Sequence, residues 1–232
     1  MVSNIAVILI IITLMFPIFA YRQNITCVKP YRRFGALTGT KFPKEAKPDR
    51  RVLVFVATGS EEIETVTIVD TLVRCGASVV LAAVDSPVLQ VRCSRGVQIV
   101  ADKHVRDCVS AEWDMVVCPG GMPGAQHLSK CTHVKEVLDI QIRAGKFIAA
   151  ICAAPAVVLS DGAYANDKKM TCYPTPKFID LLGDRFVDKK VVVDGNIITS
   201  QGPGTALEFS LKLGEVLFGK DVAAKVKQEM IF

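Results

Sequence analysis

From residue 51 to the C-terminus, two textures of hydrophobic placement alternate along the chain. "RVLVFVA" (51–57) is an unbroken apolar run, the pattern of a strand buried on both faces. "EEIETVTIVDTLVRCG" has apolar residues at helical spacing and ends at Gly76, a good helix stop. "SVVLAAV" and "RGVQIVAD" read as further strands, and "DMVVCPGG" as a short strand running into a glycine loop. "THVKEVLDIQIRAG" predicts a helix ending at Gly145, and "KFIAAI" the next buried strand. "KKVVVDGNIITS" predicts a hairpin turning at Asp194-Gly195, and "GTALEFSLKLGEVLFG" a long closing helix. Strands alternating with helices predict an α/β fold, a doubly wound and mainly parallel sheet with helices on both faces.

Ligands of such folds bind at the carboxyl ends of the strands. Three loops lie there: "ATGSEEIE" (57–64), "CPGGMPGAQ" (118–126) and "ICAAPA" (151–156). Cys152 follows its strand directly, and Ala153, Ala154 and Pro155 can begin a helix through a tight turn that lifts the thiol from the core. The logic is that of a nucleophile elbow. A thiol at a helix N-terminus meets unpaired N–H groups and the positive dipole end, so a lowered pKa is expected. The competing reading is a buried structural cysteine. Gly120 and Gly121, with Ala153, offer backbone N–H groups to a substrate oxyanion; a plain turn is the alternative. Glu64 should face the same crevice, where a neighbouring thiolate would push its carboxyl toward the protonated form. Otherwise Glu61, Glu62 and Glu64 are helix N-terminal acids answering the dipole.

Composition changes the picture at the N-terminus. The net charge of +5 is uneven: residues 1–20 carry none, residues 21–51 carry nine Lys/Arg against Glu45 and Asp49, and residues 52–232 are left at −2. The folded part therefore has no nucleic-acid footprint by charge. Residues 5–20 are apolar, with Pro17 and Ala20 near the end, so 1–20 reads as a signal-like leader too short for a stable membrane span. Residues 21–50 read as a basic flexible linker or a plastid-type transit segment, and Asn24 opens an "NIT" glycosylation pattern. Residues 51–232 form the domain. The leader implies the secretory route, and onward passage to an organelle such as a plastid; without a working leader the chain stays in the cytoplasm. The eight cysteines show no CxxC pair and no zinc spacing, so neither a metal nor a disulfide framework is implied, and thiols suit a reducing compartment. That conflicts with the leader. "GEVLFGKD" (214–221) lacks the Ser/Thr of a phosphate loop, and "PGGMPGA" lacks the spacing of a dinucleotide fingerprint. Trp113 reads as a packing residue.

Six stretches in register resemble one family: "GSEEIETVTIVDTLVRCG", "VRCSRGVQI", "PGGMPGAQHL", "IAAICAAPAVVL", "TSQGPGTALEF" and "GKDVAAKV". They are similar to the ThiJ/PfpI family, in its parkinsonism-associated protein deglycase branch, YajL-like members included. The resemblance spans roughly 51–232 and implies a flavodoxin-like fold, a homodimer and no cofactor. It implies that Cys152 is the oxidation-sensitive nucleophile, that Glu64 is its protonated neighbour and that Gly121 supplies an N–H. Arg95 and Arg74 are implied near the site or the dimer contact. Some members place histidine where this chain has Tyr173, so no Cys–His dyad arises from that position. Of His104, His127 and His133, only His127 follows the glycine loop, and an exposed helix histidine is its plainer reading. Two functions follow. One is cysteine-dependent carbonyl defence, glyoxalase or deglycase chemistry on small reactive aldehydes or glycated proteins. The other is a redox-sensing, chaperone-like protein that uses oxidation of Cys152.

Overall fold

The computed structural model describes residues 50–160 and 164–232. The expectations for the leader (1–20), and for the basic segment (21–50) apart from Arg50, lie outside the described residues.

β1 (Arg51–Ala57) buries every residue after the first, as its unbroken apolar run requires. It pairs in parallel with β2 (Ser78–Val84) on one side and β6 (Met115–Cys118) on the other. With β5 (Lys103–His104), β7 (Phe147–Ile151), β8 (Val191–Asp194) and β9 (Ile197–Ser200), the order is β5-β2-β1-β6-β7-β9-β8. Only β8 runs antiparallel, paired with β9. The arrangement is flavodoxin-like.

Side chains of β1 alternate between two cores, as the period of a strand dictates. Leu53 and Phe55 pack with Leu128 and Leu138 of α2 (Gly124–Lys130) and α3 (Thr132–Arg143). Val52, Val54 and Val56 face the other way, toward Ile68 and Leu72 of α1 (Glu62–Cys75) and Phe209 and Leu213 of α5 (Ala206–Phe218). Each fully buried side chain of this kind contributes about 1.5–3 kcal/mol. α4 (Pro176–Leu182) follows a helical segment described over Pro155–Ser160.

Three local expectations change. The "RGVQIVAD" strand does not join the main sheet: β4 (Gln98–Val100) pairs with β3 (Gln90–Arg92) in a separate antiparallel ribbon. Val97 and Val100 are exposed there and Ile99 is only half-buried, so the apolar run belongs to a surface. The hairpin register Asp194↔Ile197 leaves Gly195 and Asn196 as turn residues, one position later than expected. The closing helix stops at Phe218 because Gly219 adopts φ 90. α6 (Lys220–Glu229) then packs back, closing a small cluster of Cys75, Leu211 and Val226.

After β1 the chain adds β2 on one side, then returns to add β6 on the other. The strand order therefore reverses between β1 and β6, where such sheets open a crevice. The loops after β1, β6 and β7 meet at that crevice. Among the described residues, no helix is long and apolar enough to cross a membrane.

Candidate active site

Cys152 leaves β7 with φ 64, in the left-handed region. A non-glycine residue held there costs about 1–3 kcal/mol. Neighbouring segments hold it in place: its N–H donates to the Ser200 carbonyl at the end of β9 at 3.0 Å, and its carbonyl accepts the Tyr173 N–H at 2.7 Å. Ala153 and Ala154 are buried, so the turn is tight and the half-buried thiol faces the N–H groups of Gly121 and Ala153. The other six described cysteines are buried, and none of the seven is in a disulfide.

Glu64 reaches the same point from the first turn of α1 and is fully buried. Its Oε2 accepts the Gly120 N–H at 2.7 Å. The carboxyl also faces the Cys152 thiol, and Oε1 is otherwise buried without a hydrogen-bond partner. Glycine at 120 is a steric requirement, since a Cβ there would lie 2.5 Å from the Cys152 Cβ and 2.9 Å from Glu64 Oε2. Gly121, with φ 83, is packed so closely that a Cβ would strike the backbone of Gly59, Ser60 and Glu61.

Burial dominates the electrostatics. It pushes the Glu64 carboxyl up to about 8; the Gly120 N–H works against this and the Glu61 charge adds to it. Burial, then the charge of Glu64, push the Cys152 thiol up to about 12, against the opposing N–H groups of Gly121 and Ala153. The expectation of a lowered thiol pKa is therefore reversed. The N–H groups at the start of the helical segment after Cys152 do not outweigh burial beside a carboxyl. Because the groups face each other, they titrate as a pair. The pair keeps both protons at neutral pH and first ionises near 8. One proton then remains between sulfur and oxygen. When it sits on Glu64, Cys152 is a thiolate beneath two N–H groups.

The remaining candidates are placed as follows. The Tyr173 side chain is exposed and stands beside Gly202, where a Cβ would lie 3.2 Å from its ring. His127 on α2 binds the Thr58 carbonyl through Nδ1 at 3.0 Å, so it braces the β1 loop. Arg95 is exposed and takes part through its N–H, which donates to Glu62 Oε1 at 2.8 Å. Arg74 lies at the far end of α1, in an exposed pair with Asp70 at 2.8 Å, and is not brought to Cys152. Among the described residues, no group of three or more His, Cys, Asp or Glu could hold a metal ion.

Sequence reasoning missed how the acids at 61 and 62 are used. Glu61 caps α1, and Glu62 binds the 93–97 loop through Ser94 Oγ at 2.9 Å and the Arg95 N–H. Burial opposes the Glu62 charge, but hydrogen bonds from its own N–H, Ser94 and Arg95 hold its carboxyl below the usual value. The "SEE" letters carried the capping signal; Ser94 carried none.

The model of the DJ-1/PfpI family matches residues 50–216. The chain is 42% identical over 185 residues to the Parkinson disease protein 7 homolog of Danio rerio, covering 78% of this chain and 97% of that one. It is 39% identical over 165 residues to a glutathione-independent glyoxalase of Caenorhabditis elegans, covering 70% and 85%. Of DJ-1 homolog B from Arabidopsis thaliana it spans only 41% of the length. Among solved structures, oxidized DJ-1 of Toxoplasma gondii matches with TM-score 0.76 and 42% identity, covering 79% of this chain and 98% of that one.

The shared proton predicts a pH profile. Alkylation of Cys152 by iodoacetamide, read by peptide mass spectrometry, should rise through a midpoint near 8. A rate that stays flat through 8 and climbs only toward 12 would show that the thiol ionises alone.

Stability should carry the same signature. A carboxyl raised from 4.5 to about 8 binds its proton more tightly in the folded state, so its contribution is full below 4.5 and is lost as pH rises toward 8. Glu64→Gln mimics the protonated form. It should match the wild type near the lower limit and exceed it by roughly a few kcal/mol at the upper one, by urea denaturation. Equal stability of the two proteins at both limits would refute the raised carboxyl.

Proposed function

The chain belongs to the DJ-1/PfpI family, and from that premise we propose that it carries out cysteine-dependent defence against reactive carbonyls, by glyoxalase or deglycase chemistry. The observation that carries this reading is the buried Glu64 carboxyl, holding its proton against a half-buried Cys152 beneath the Gly121 and Ala153 N–H groups.

The chemistry closes on these residues. Thiolate Cys152 attacks the aldehyde carbon of methylglyoxal, and the new alkoxide takes the proton from Glu64, giving a hemithioacetal. Glu64, now a carboxylate, removes the hydrogen from the former aldehyde carbon and returns it to the neighbouring ketone carbon through an enediol. The product is a thioester of lactate. Water cleaves it, lactate leaves, and the thiol is regenerated. Overall, methylglyoxal and one water become lactate. The Gly121 and Ala153 N–H groups stabilise the negative charge that develops at the reacting centre throughout. For a glycated amine, the same attack on the adduct carbon releases the amine.

A second reading is favoured by exposure. Cys152 is the one described cysteine that is not buried, and oxidation follows thiolate character and access. In this reading the protein is a redox-sensing, chaperone-like one, in which peroxide takes Cys152 to sulfinate and the Glu64 carboxyl donates to a sulfinate oxygen.

We extend the proposal to a homodimer. Ile63, Val66 and Val73 are more than half exposed along α1, and Val88, Val97 and Val100 are at least half exposed near the β3–β4 ribbon. Apolar residues of this size left in water call for a partner surface, and we take it to be a second copy. Sedimentation equilibrium should give twice the chain mass, and Val66→Glu should lower it; a wild-type monomer at micromolar concentration would count against pairing.

Incubation with methylglyoxal should yield lactate, and Cys152→Ala should abolish it. Absence of lactate, together with selective gain of two oxygens on Cys152 under mild peroxide, would transfer the function to the second reading. Tyr173→His should raise turnover severalfold, because imidazole titrates near neutral pH and phenol near 10. An unchanged rate in a folded variant would mean that Glu64 moves the protons alone.

A further inference from the structure

Glu61 has so far appeared only as a helix cap and as a nearby charge. It is an unusual cap, because short side chains are preferred at that position. It is 7% exposed, and its Oε2 accepts the Glu64 N–H at 2.8 Å. In the common reciprocal arrangement, a glutamate three residues into the helix turns back and accepts the N–H of the cap. Glu64 holds that position in α1 but does not turn back. The Glu61 N–H donates instead to the Gly120 carbonyl, at 3.1 Å. Glu64 is thereby released, and its Oε2 takes the Gly120 N–H. One peptide, from Pro119 to Gly120, supplies the N–H that holds Glu64, and the next supplies the carbonyl that holds Glu61.

Glu61 cannot drift from this arrangement. Its carbonyl accepts both the Thr65 N–H at 3.1 Å and the Thr65 hydroxyl at 2.8 Å. Its backbone nitrogen lies so near Gly121 that a Cβ there would strike it. We propose that Glu61 is a positioning residue for the Glu64–Cys152 pair. Its N–H occupies the Gly120 carbonyl so that the Glu64 carboxyl turns toward the thiol, and its own carboxylate, clamped on the Glu64 amide, keeps a negative charge behind that carboxyl. The inference rests on Cys152 and Glu64 being the reacting pair.

The charge has a direction of effect. Glu61 raises the proton affinity of Glu64, which favours the form of the half-protonated pair in which sulfur carries the charge. The other groups around Glu64 are its neighbour Glu62, turned toward Ser94 and Arg95, the Gly120 N–H after β6, and Cys152 after β7. The 93–97 loop adds Cys93, which burial and then the charges of Glu62 and Glu61 hold up at about 11. A shorter neutral residue would cap α1 equally well but supply no charge.

The test is the pH profile of Cys152 alkylation in the full chain. Glu61→Gln keeps an oxygen for the cap and removes the charge. It should move the midpoint to lower pH and reduce the plateau rate by about threefold or more, with melting temperature nearly unchanged. Glu61→Asp keeps charge and cap and should restore the wild-type profile. If Gln leaves midpoint and plateau as in the wild type, or if Asp disturbs them as much as Gln, the proposal is overturned. Should the Gln variant fail to fold, Glu61→Ser makes the same comparison. A wild-type profile without a midpoint near 8 would instead overturn the pair reading itself, and this inference with it.

Discussion

The site depends on how closely two backbones approach at the strand-order reversal. The β1 loop and the β6 loop touch main chain to main chain: Gly121 lies against Gly59 and Glu61, and Gly124 against Ser60. A single methyl group at any of these contacts would push the loops apart. Their contact puts the Gly120 N–H within 2.7 Å of Glu64. It also carries Glu64 over the end of β7, where Cys152 emerges.

Burial has opposite consequences for the two members of the pair. For Glu64 it retains a proton at neutral pH, which turns a carboxylate into a donor. For Cys152 it opposes ionisation, so the sulfur becomes a thiolate only once the pair has lost one proton and the proton that remains sits on Glu64. Helix N-terminus and backbone N–H groups assist but do not decide. The strained backbone of Cys152 serves the same end by holding the thiol over Gly120.

Main chain and side chain of Tyr173 are put to different uses. Its backbone fastens the Cys152 carbonyl at 2.7 Å while its ring lies exposed beside Gly202. Support for the turn thus comes from the main chain of this residue and not from its ring. The same division runs through the first helix, where Glu64 faces the thiol, Glu62 ties down the 93–97 loop and Arg74 ends on the surface.

The sequence by itself determined the fold class, because unbroken apolar strands and 3.6-periodic helices leave few ways to bury both faces of a sheet. It also singled out Cys152, Glu64 and Gly120, which the fold brings together, since strand ends followed by small or acidic residues are local signals. Tertiary structure alone decided the fate of "RGVQIVAD", whose apolar letters do not say whether a sheet edge or a surface ribbon awaits them. It placed Arg74 away from Cys152, because a helix carries its two ends to opposite sides of the molecule. It also reversed the expected acidity of the thiol. A pKa is set by what surrounds a group in space, and the buried carboxyl that meets Cys152 lies 88 positions earlier in the chain.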